Sequence, residues 1–309
     1  MIPGGVFPRR FFVAARKHSC RKRRVILFPA AAFRSPRPFC FRKDLSGCAA
    51  NAYRESYEPE KEIKNMTQEQ LSLLRNIITC SRRIVFFGGA GVSTASGIPD
   101  FRSSSGLYAG QFAGLSPEMI LSKSFFYLHP DIFFDFWRKY MLHPDALPNA
   151  AHRFLYELEK RDKLRGIVTQ NVDGLHKKAG NIRVYEIHGS VYDNYCTECN
   201  ASFPPDAVFR SEGVPRCECG GVIRPKVVLY GEPLEKYVCI GAIREITNAD
   251  TLIVAGTSLS VEPAASFIEH FRGRNLVVIN REPVPADEKA VLVIRDDVAE
   301  VFGRLCPSG

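Results

Sequence analysis

Cys196, Cys199, Cys217 and Cys219 follow the spacing C-x2-C-x17-C-x-C. Two close pairs of thiolates joined by a short hairpin supply four soft ligands in a tetrahedron, the arrangement that binds Zn²⁺. Gly220 and Gly221 provide the turn after the second pair. With all four positions taken by protein, such an ion is structural and has no open site for catalysis. A second cluster begins at the end of the apolar run Arg83–Phe87, where Gly88-Gly89-Ala90-Gly91-Val92-Ser93-Thr94 follows. A glycine-rich turn at a strand's carboxyl end lets backbone N–H groups approach a pyrophosphate. Here the dinucleotide fingerprint is incomplete, because Thr94 stands where its third glycine belongs. By itself the turn is equally an ordinary strand-to-helix connection.

Four further polar or glycine-bearing clusters accompany it. The turn continues through Ser96-Gly97-Ile98-Pro99-Asp100-Phe101-Arg102. Then come Thr169-Gln170-Asn171-Val172-Asp173-Gly174-Leu175-His176, Glu186-Ile187-His188-Gly189, Gly256-Thr257-Ser258-Leu259 and Val278-Ile279-Asn280-Arg281. Each sits where an apolar, β-type run gives out. In an open α/β sheet, ligands bind in the crevice beyond the carboxyl ends of the strands, so the clusters are expected to converge on one site. A lone histidine at a strand end is more often structural. His188 has glycine beside it and the other clusters around it, and its near-neutral pKa suits a general base.

The elements that must position these residues are legible as apolar runs: Arg83–Phe87, Gly166–Thr169, Val184–Ile187, Val227–Tyr230, Thr251–Ala255, Leu276–Ile279 and Val291–Ile294. Helical segments lie between several of them. Thr67 with Gln70 forms a capping box, Asn149 caps a helix through Arg161, Pro263 sits in a first turn after Glu262, and Asp296 opens the last helix. Continuous apolar strands with helical crossovers predict a Rossmann-like α/β fold, a parallel sheet with helices on both faces. Residues 103–148 (aromatic and helical) and 191–226 (cysteine-bearing) interrupt this rhythm. They are expected to form a smaller lobe, a helical insertion plus a four-cysteine zinc ribbon. At 309 residues, 45% hydrophobic and 24% charged, the chain is no disordered polymer. Its longest uncharged apolar run, Val25–Phe33, is far short of the roughly 20 residues that span a bilayer.

The net charge of +9 is unevenly spread. Residues 1–65 carry 15 Lys+Arg against 5 Asp+Glu, whereas residues 66–309 carry 27 against 28. The body therefore lacks the basic excess of a nucleic-acid-binding surface, and neither nucleic acid nor membrane is expected as a partner. The 1–65 leader is read as unfolded, with three origins open. It is a transit peptide, since residues 1–43 hold twelve Lys+Arg and no acid, a secretory signal, or an artefact of a start at Met66, with Lys61-Glu62 able to encode a ribosome-binding sequence. Cytoplasm is the expected location, or the mitochondrial matrix if the leader is a transit peptide; reduced thiols argue against secretion.

GAGVSTASGIPDFR, TQNVDGLH, a strand-end HG and GTSL, spread over residues 66–309, together resemble the sirtuin family of NAD-dependent protein deacylases. The resemblance implies that Gly89, Ala90, Gly91, Thr94, Asp100, Phe101 and Arg102 fold over NAD. It assigns Gln170, Asn171 and Asp173 to the nicotinamide side and the ribose, and Gly256, Thr257, Ser258, Asn280, Arg281 and Val298 to the adenosine half. His188 becomes the catalytic base and Asn171 a catalytic partner that orients ribose and water. The implied reaction moves an acetyl group from the lysine of a protein or peptide to ADP-ribose, with release of nicotinamide. In the family mechanism the acyl oxygen attacks the ribose C1′ to give an imidate, and the histidine assists deprotonation of a ribose hydroxyl. Val228, Leu229, Tyr230, Gly231, Glu232 and, across from them, Val261 match the two edges that clamp an extended peptide. Relatives acting on acidic acyl groups carry a Tyr and an Arg soon after the PDFR-type motif. Residues 103–122 contain no Lys or Arg, which favours a neutral acyl group. Mono-ADP-ribosyl transfer, removal of longer acyl chains, or a zinc-ribbon module that merely holds a nucleotide remain alternatives. Oligomeric state is left open.

Overall fold

In the computed structural model, residues 66–100, 106–107 and 110–305 are described. The leader lies outside them, as do Phe101 and Arg102. In chain order the strands among the described residues are β1 Ile84–Gly88, β2 Leu164–Thr169, β3 Val184–Glu186, β4 Gly189–Cys196, β5 Ser202–Phe203, β6 Ile223–Val227, β7 Thr251–Ala255, β8 Asn275–Ile279 and β9 Leu292–Ile294. The helices are α1 Gln68–Cys80, α2 Pro117–Ile120, α3 Lys123–Leu128, α4 Pro130–Tyr140, α5 Ala150–Lys160, α6 Leu175–Lys178, α7 Asp206–Phe209, α8 Lys236–Asn248 and α9 Val298–Gly303. None is long and apolar enough to cross a membrane.

Six strands form one sheet in the order β3-β2-β1-β7-β8-β9, with every neighbouring pair parallel. The strand order reverses at β1, which has β2 on one side and β7 on the other. That reversal opens a crevice at the carboxyl ends, where ligands of doubly wound folds bind. The unbroken apolar runs have a direct cause: alternate residues enter two different cores. Ile84 and Phe86 pack with Leu74, Leu155 and Phe302 on one face, while Val85 and Phe87 pack with Ala242, Ile246 and Phe267 on the other. Helices α1, α5 and α9 cover the first face, and α8 with the 3-10 helix Ala265–His270 covers the second.

The two interruptions share a third core. Phe126, Phe133, Phe134, Phe136 and Trp137 of the helical insertion pack on Val191 and Ile223 of the cysteine-bearing segment and on Leu229 just beyond it. The latter builds an antiparallel sheet of order β5-β4-β6.

Three expectations are corrected. Val227–Tyr230 is not a strand of the parallel sheet: Val227 ends β6, and Tyr230 pairs its backbone with Leu121 and Lys123 of the insertion instead. Pro263 precedes a 3-10 helix that begins at Ala265. The last helix is capped by Asp297, whose carboxylate accepts the N–H groups of Ala299 and Glu300, whereas Asp296 accepts from the backbone N–H of Met66.

The first core also buries two imidazoles, His152 of α5 and His176 of α6, with ring centroids 4.7 Å apart. His152 completes a capping box: its Nδ1 accepts the backbone N–H of Asn149 at 3.3 Å. Burial, aided by neighbouring Arg153, lowers its pKa from 6.5 to about 4, and burial also pushes His176 well below 6.5. Between those values the unfolded chain binds more protons than the folded one, so stability rises with pH through this window. It is lost as pH falls from about 6.5 toward 4. The part due to His152 alone is about 3 kcal/mol at pH 4. Since glutamine can fill the same capping-box position, His152→Gln is expected to flatten this acid limb while leaving stability at pH 8 nearly unchanged. Denaturant unfolding at a series of pH values measures the difference.

Candidate active site and metal centre

The four predicted metal ligands come together at the tip of the antiparallel sheet. Their sulfur atoms all lie within 4.8 Å of one another, with Cys196 Sγ 3.4 Å from Cys219 Sγ and Cys199 Sγ 3.7 Å from Cys217 Sγ. Four thiolates about 2.3 Å from a central Zn²⁺ are separated by about 3.8 Å, so the cluster fits that ion. The backbone explains the approach. Cys196 N–H donates to Ala201 O and Cys217 N–H to Gly221 O, closing each pair into a tight turn. A side chain at Gly221 would come within 2.6 Å of Cys196 Sγ.

At the carboxyl ends of the parallel strands, the loops are hydrogen-bonded to one another. Gly91 N–H donates to Gly256 O at 2.9 Å, Gln170 N–H to Gly88 O at 3.0 Å, Ile187 N–H to Thr169 O at 3.1 Å, and Gly256 N–H to Ile279 O at 3.1 Å. The loops after β1, β2, β3, β7 and β8 thus meet as the sequence implies. The glycines permit it: a Cβ on Gly91 would stand 2.8 Å from Gly256 Cα, and one on Gly256 (φ +59°) 2.6 Å from Val92 N. Two 3-10 turns, Ala90–Val92 and Thr94–Ser96, replace a regular helix start here.

Between these turns stands Ser93, which the motif contains but no sequence signal singles out. It is 1% exposed. Its hydroxyl donates to Asp173 Oδ2 at 2.6 Å and accepts from Asn171 Nδ2 at 3.1 Å. Asp173 Oδ1 accepts the N–H of Leu175 at 2.9 Å. Burial raises the Asp173 pKa above the usual carboxylate range, against these hydrogen bonds, which lower it. Ala90, Ser93, Ile98, Pro99, Asn171, Val172 and Asp173 line a cavity together with Leu107, Tyr140, Met141 and His143. Apolar walls with an amide and a carboxyl among them suit a flat heteroaromatic ring bearing a carboxamide, so the residues present fit the nicotinamide end of a dinucleotide.

His188 lies between β3 and β4, one residue beyond Ile187 and immediately before Gly189. Its Nδ1 lies 2.9 Å from Gln170 O. A carbonyl only accepts, so Nδ1 carries the proton and the neutral ring keeps its lone pair on Nε2. Burial lowers the His188 pKa below 6.5, while the bond to Gln170 works in the opposite sense. Gly189 holds the turn open at φ +80°, where any Cβ would collide with Lys226 O.

The remaining site residues divide. Gln170 Nε2 donates to Thr257 Oγ1 at 2.8 Å, and Ser258 Oγ lies 2.6 Å from Ser260 Oγ. Thr94 Oγ1 donates to Gly91 O, and Asp100 O accepts from Leu107 N–H. Asn280 is nearly buried and donates from Nδ2 to Glu282 O at 2.8 Å. Arg281 pairs with Asp297 at 2.8 Å, and Val298 is packed in the core. In the segment named for peptide contact, Val228 N–H donates to His188 O and Tyr230 is 39% exposed. Leu229 is buried in the small lobe's core, and the Glu232 carboxylate accepts from Arg224 at 2.8 Å and from Leu229 N–H at 2.9 Å. Arg224, buried against Phe126 and Tyr195, gives no sequence signal, because a single arginine in a strand forms no pattern.

Comparison with known proteins is consistent across sequence and structure. The Sir2 family model matches residues 89–263. An "NAD-dependent protein deacetylase" of Clostridium perfringens is 50% identical over 240 residues, 77% of this chain and 98% of the relative. One from Staphylococcus aureus is 45% identical over 240 residues, again 77% and 98%. Among solved structures, a Sir2 complex with a p53 peptide and NAD+ has a TM-score of 0.68 at 35% identity, covering 76% of this chain and 96% of that one. A Sir2 bound to acetylated peptide has a TM-score of 0.67 at 33% identity, with 76% and 96% covered.

One zinc per chain is expected by elemental analysis. Cys219→Ser should lose the ion and lower the unfolding midpoint, because three thiolates without their metal are left crowded at one point.

Proposed function

The chain belongs to the Sir2 family, and on that footing we propose how its residues divide the work of an NAD-dependent protein-lysine deacetylase. NAD, when bound, supplies an activated glycosidic bond, so that nicotinamide leaves, the acetyl group ends on ADP-ribose and lysine is freed. The rest is the protein's own contribution. One observation carries the assignment of the base: the Gln170 carbonyl fixes the His188 proton on Nδ1 and leaves Nε2 free to take another. Desolvation keeps the ring neutral at physiological pH, the form a general base must have. Gln170 therefore acts twice, by its carbonyl on the base and by its amide on Thr257.

Asn171 and Asp173, locked by Ser93, hold the nicotinamide end and the adjoining ribose in the cavity behind the 3-10 turns. Ala90, Gly91, Thr94 and Asp100, with Gly89, Phe101 and Arg102, close over the cofactor. Closure excludes water, which matters because an activated sugar is otherwise hydrolysed. Gly256, Thr257, Ser258, Asn280, Arg281 and Val298 form the adenosine half; for Arg281 and Val298 the backbone is the contacting part, since one side chain is ion-paired and the other buried.

The substrate is an acetylated protein or peptide, laid as an extended strand between residues 228–232 and Val261. Within that edge, Val228, Tyr230 and Gly231 meet the peptide, while Leu229 and Glu232 hold the edge in shape. A neutral acyl group is favoured by the absence of Lys and Arg from residues 103–122. Four reduced thiolates suit the cytoplasm. The near-neutral body gives no reason to expect nucleic acid or membrane as a partner.

His188→Ala is expected to lower deacetylation of an acetyl-lysine peptide by about a hundredfold to ten-thousandfold. Nicotinamide release and free-lysine peptide are followed by mass spectrometry, with zinc content and unfolding midpoint retained. In the wild type, kcat/KM should rise with pH through a titration below the ordinary histidine value of 6.5. Wild-type turnover in the alanine variant would refute the assignment.

A further inference from the structure

We propose that Asn149 is a positioning residue for the cofactor turn, one that holds Val92–Ser96 so that Ser93 meets Asn171 and Asp173. This rests on the reading of that turn as part of the NAD site. Asn149 is the N-cap of α5 and is 9% exposed. Its Oδ1 accepts the N–H of Ala151 at 2.9 Å, which is all that a helix cap requires. Serine, threonine or aspartate would serve that purpose equally. The amide has two hydrogens to spare, and both are committed elsewhere: Nδ2 donates to Val92 O at 2.8 Å and to Ser96 Oγ at 3.0 Å.

Those two acceptors bracket Ser93. Val92 immediately precedes it, and Ser96 N–H donates back to Ser93 O at 2.9 Å. The front of the turn presents the Ser93 hydroxyl to Asp173 and Asn171. Its back is pinned by Asn149. Asn149 is pinned in turn, because its own backbone N–H donates to His152 Nδ1. One primary amide therefore ties the first turn of a core helix to the loop behind the nicotinamide cavity. It does so without lining that cavity. Loss of the two donors should leave α5 intact and let the turn drift, loosening the cofactor's grip while leaving the peptide edge as it was.

Asn149→Asp separates the two roles, because a carboxylate caps a helix N-terminus well but cannot donate to Val92 O. Steady-state kinetics on N149D should show KM for NAD raised about tenfold, the scale of losing a buried hydrogen-bonding pair. KM for the acetylated peptide and zinc content should stay near wild type, while the unfolding midpoint falls by a few degrees at most, because Val92 O and Ser96 Oγ lose their donor. If N149D does not fold, N149S keeps a cap oxygen, has one hydroxyl hydrogen on a shorter side chain in place of the amide's two and so cannot hold both acceptors, and carries the same expectation. A folded variant whose KM for NAD stays within twofold of wild type overturns the proposal, as does a loss of stability with that KM unmoved. Asp173→Asn is run beside it. If that substitution too leaves KM for NAD unchanged, the cofactor-turn reading has failed; if it raises KM while N149D does not, only the role of Asn149 falls.

Discussion

The site depends on one close backbone crossing, where the loop after β1 lies on the loop after β7 with Gly91 N–H donating to Gly256 O. The sheet reverses its order at β1, so these loops emerge side by side and lean toward each other. Both glycines are obligatory because either Cβ would meet backbone atoms at under 3 Å. Any larger residue would push the loops apart and break the continuity from Ala90 through Ser93 to Asn171 and Asp173. A short, hydrogen-bonded contact between two backbones thus sets how near the polar groups of separate strands can come.

The small lobe is fastened to this crevice by a different device. Arg224 of β6 reaches Glu232 with both terminal nitrogens and Val227 O with one of them, while Glu232 accepts from Leu229 N–H. Arg224 is buried against two aromatic rings while Glu232 is only partly buried, so losing Glu232 would strand the buried guanidinium at a cost of about 3 kcal/mol. Burial and the Arg224 guanidinium pull on the Glu232 pKa in opposite directions, and the net shift is downward, so the carboxylate stays charged. Through it the zinc-bearing sheet shapes the 228–232 segment, whose Val228 N–H holds the backbone of His188.

Much of the fold is legible in the sequence alone. The strands whose runs are apolar without interruption, β1, β7 and β8, lie where expected, because burial on both faces leaves a strong compositional mark. The C-x2-C-x17-C-x-C spacing picks out four cysteines whose sulfur atoms the fold brings within 4.8 Å of one another, since thiolate pairs at such intervals have few other uses. Val227–Tyr230 misled for the same reason that β1 did not: an apolar run of four residues is shared by strands and by buried loops, and only pairing partners tell them apart. Asn149 was legible as a cap but not as a tie to the cofactor turn, and Arg224 was not legible at all.

The chain's linear order determined which chemical groups exist, the periodicities that make strands and helices, and the local spacings that make a metal knuckle or a capped helix. These are short-range matters, fixed by neighbours within a turn or two. Tertiary structure alone decided that Gln170 O sets the tautomer of His188, that Ser93 joins residues some eighty positions away, and that Glu232 answers to Arg224. Such contacts depend on the angles at which loops leave a twisted sheet, and on which polar atoms burial leaves without water, and no pattern of residue types records either.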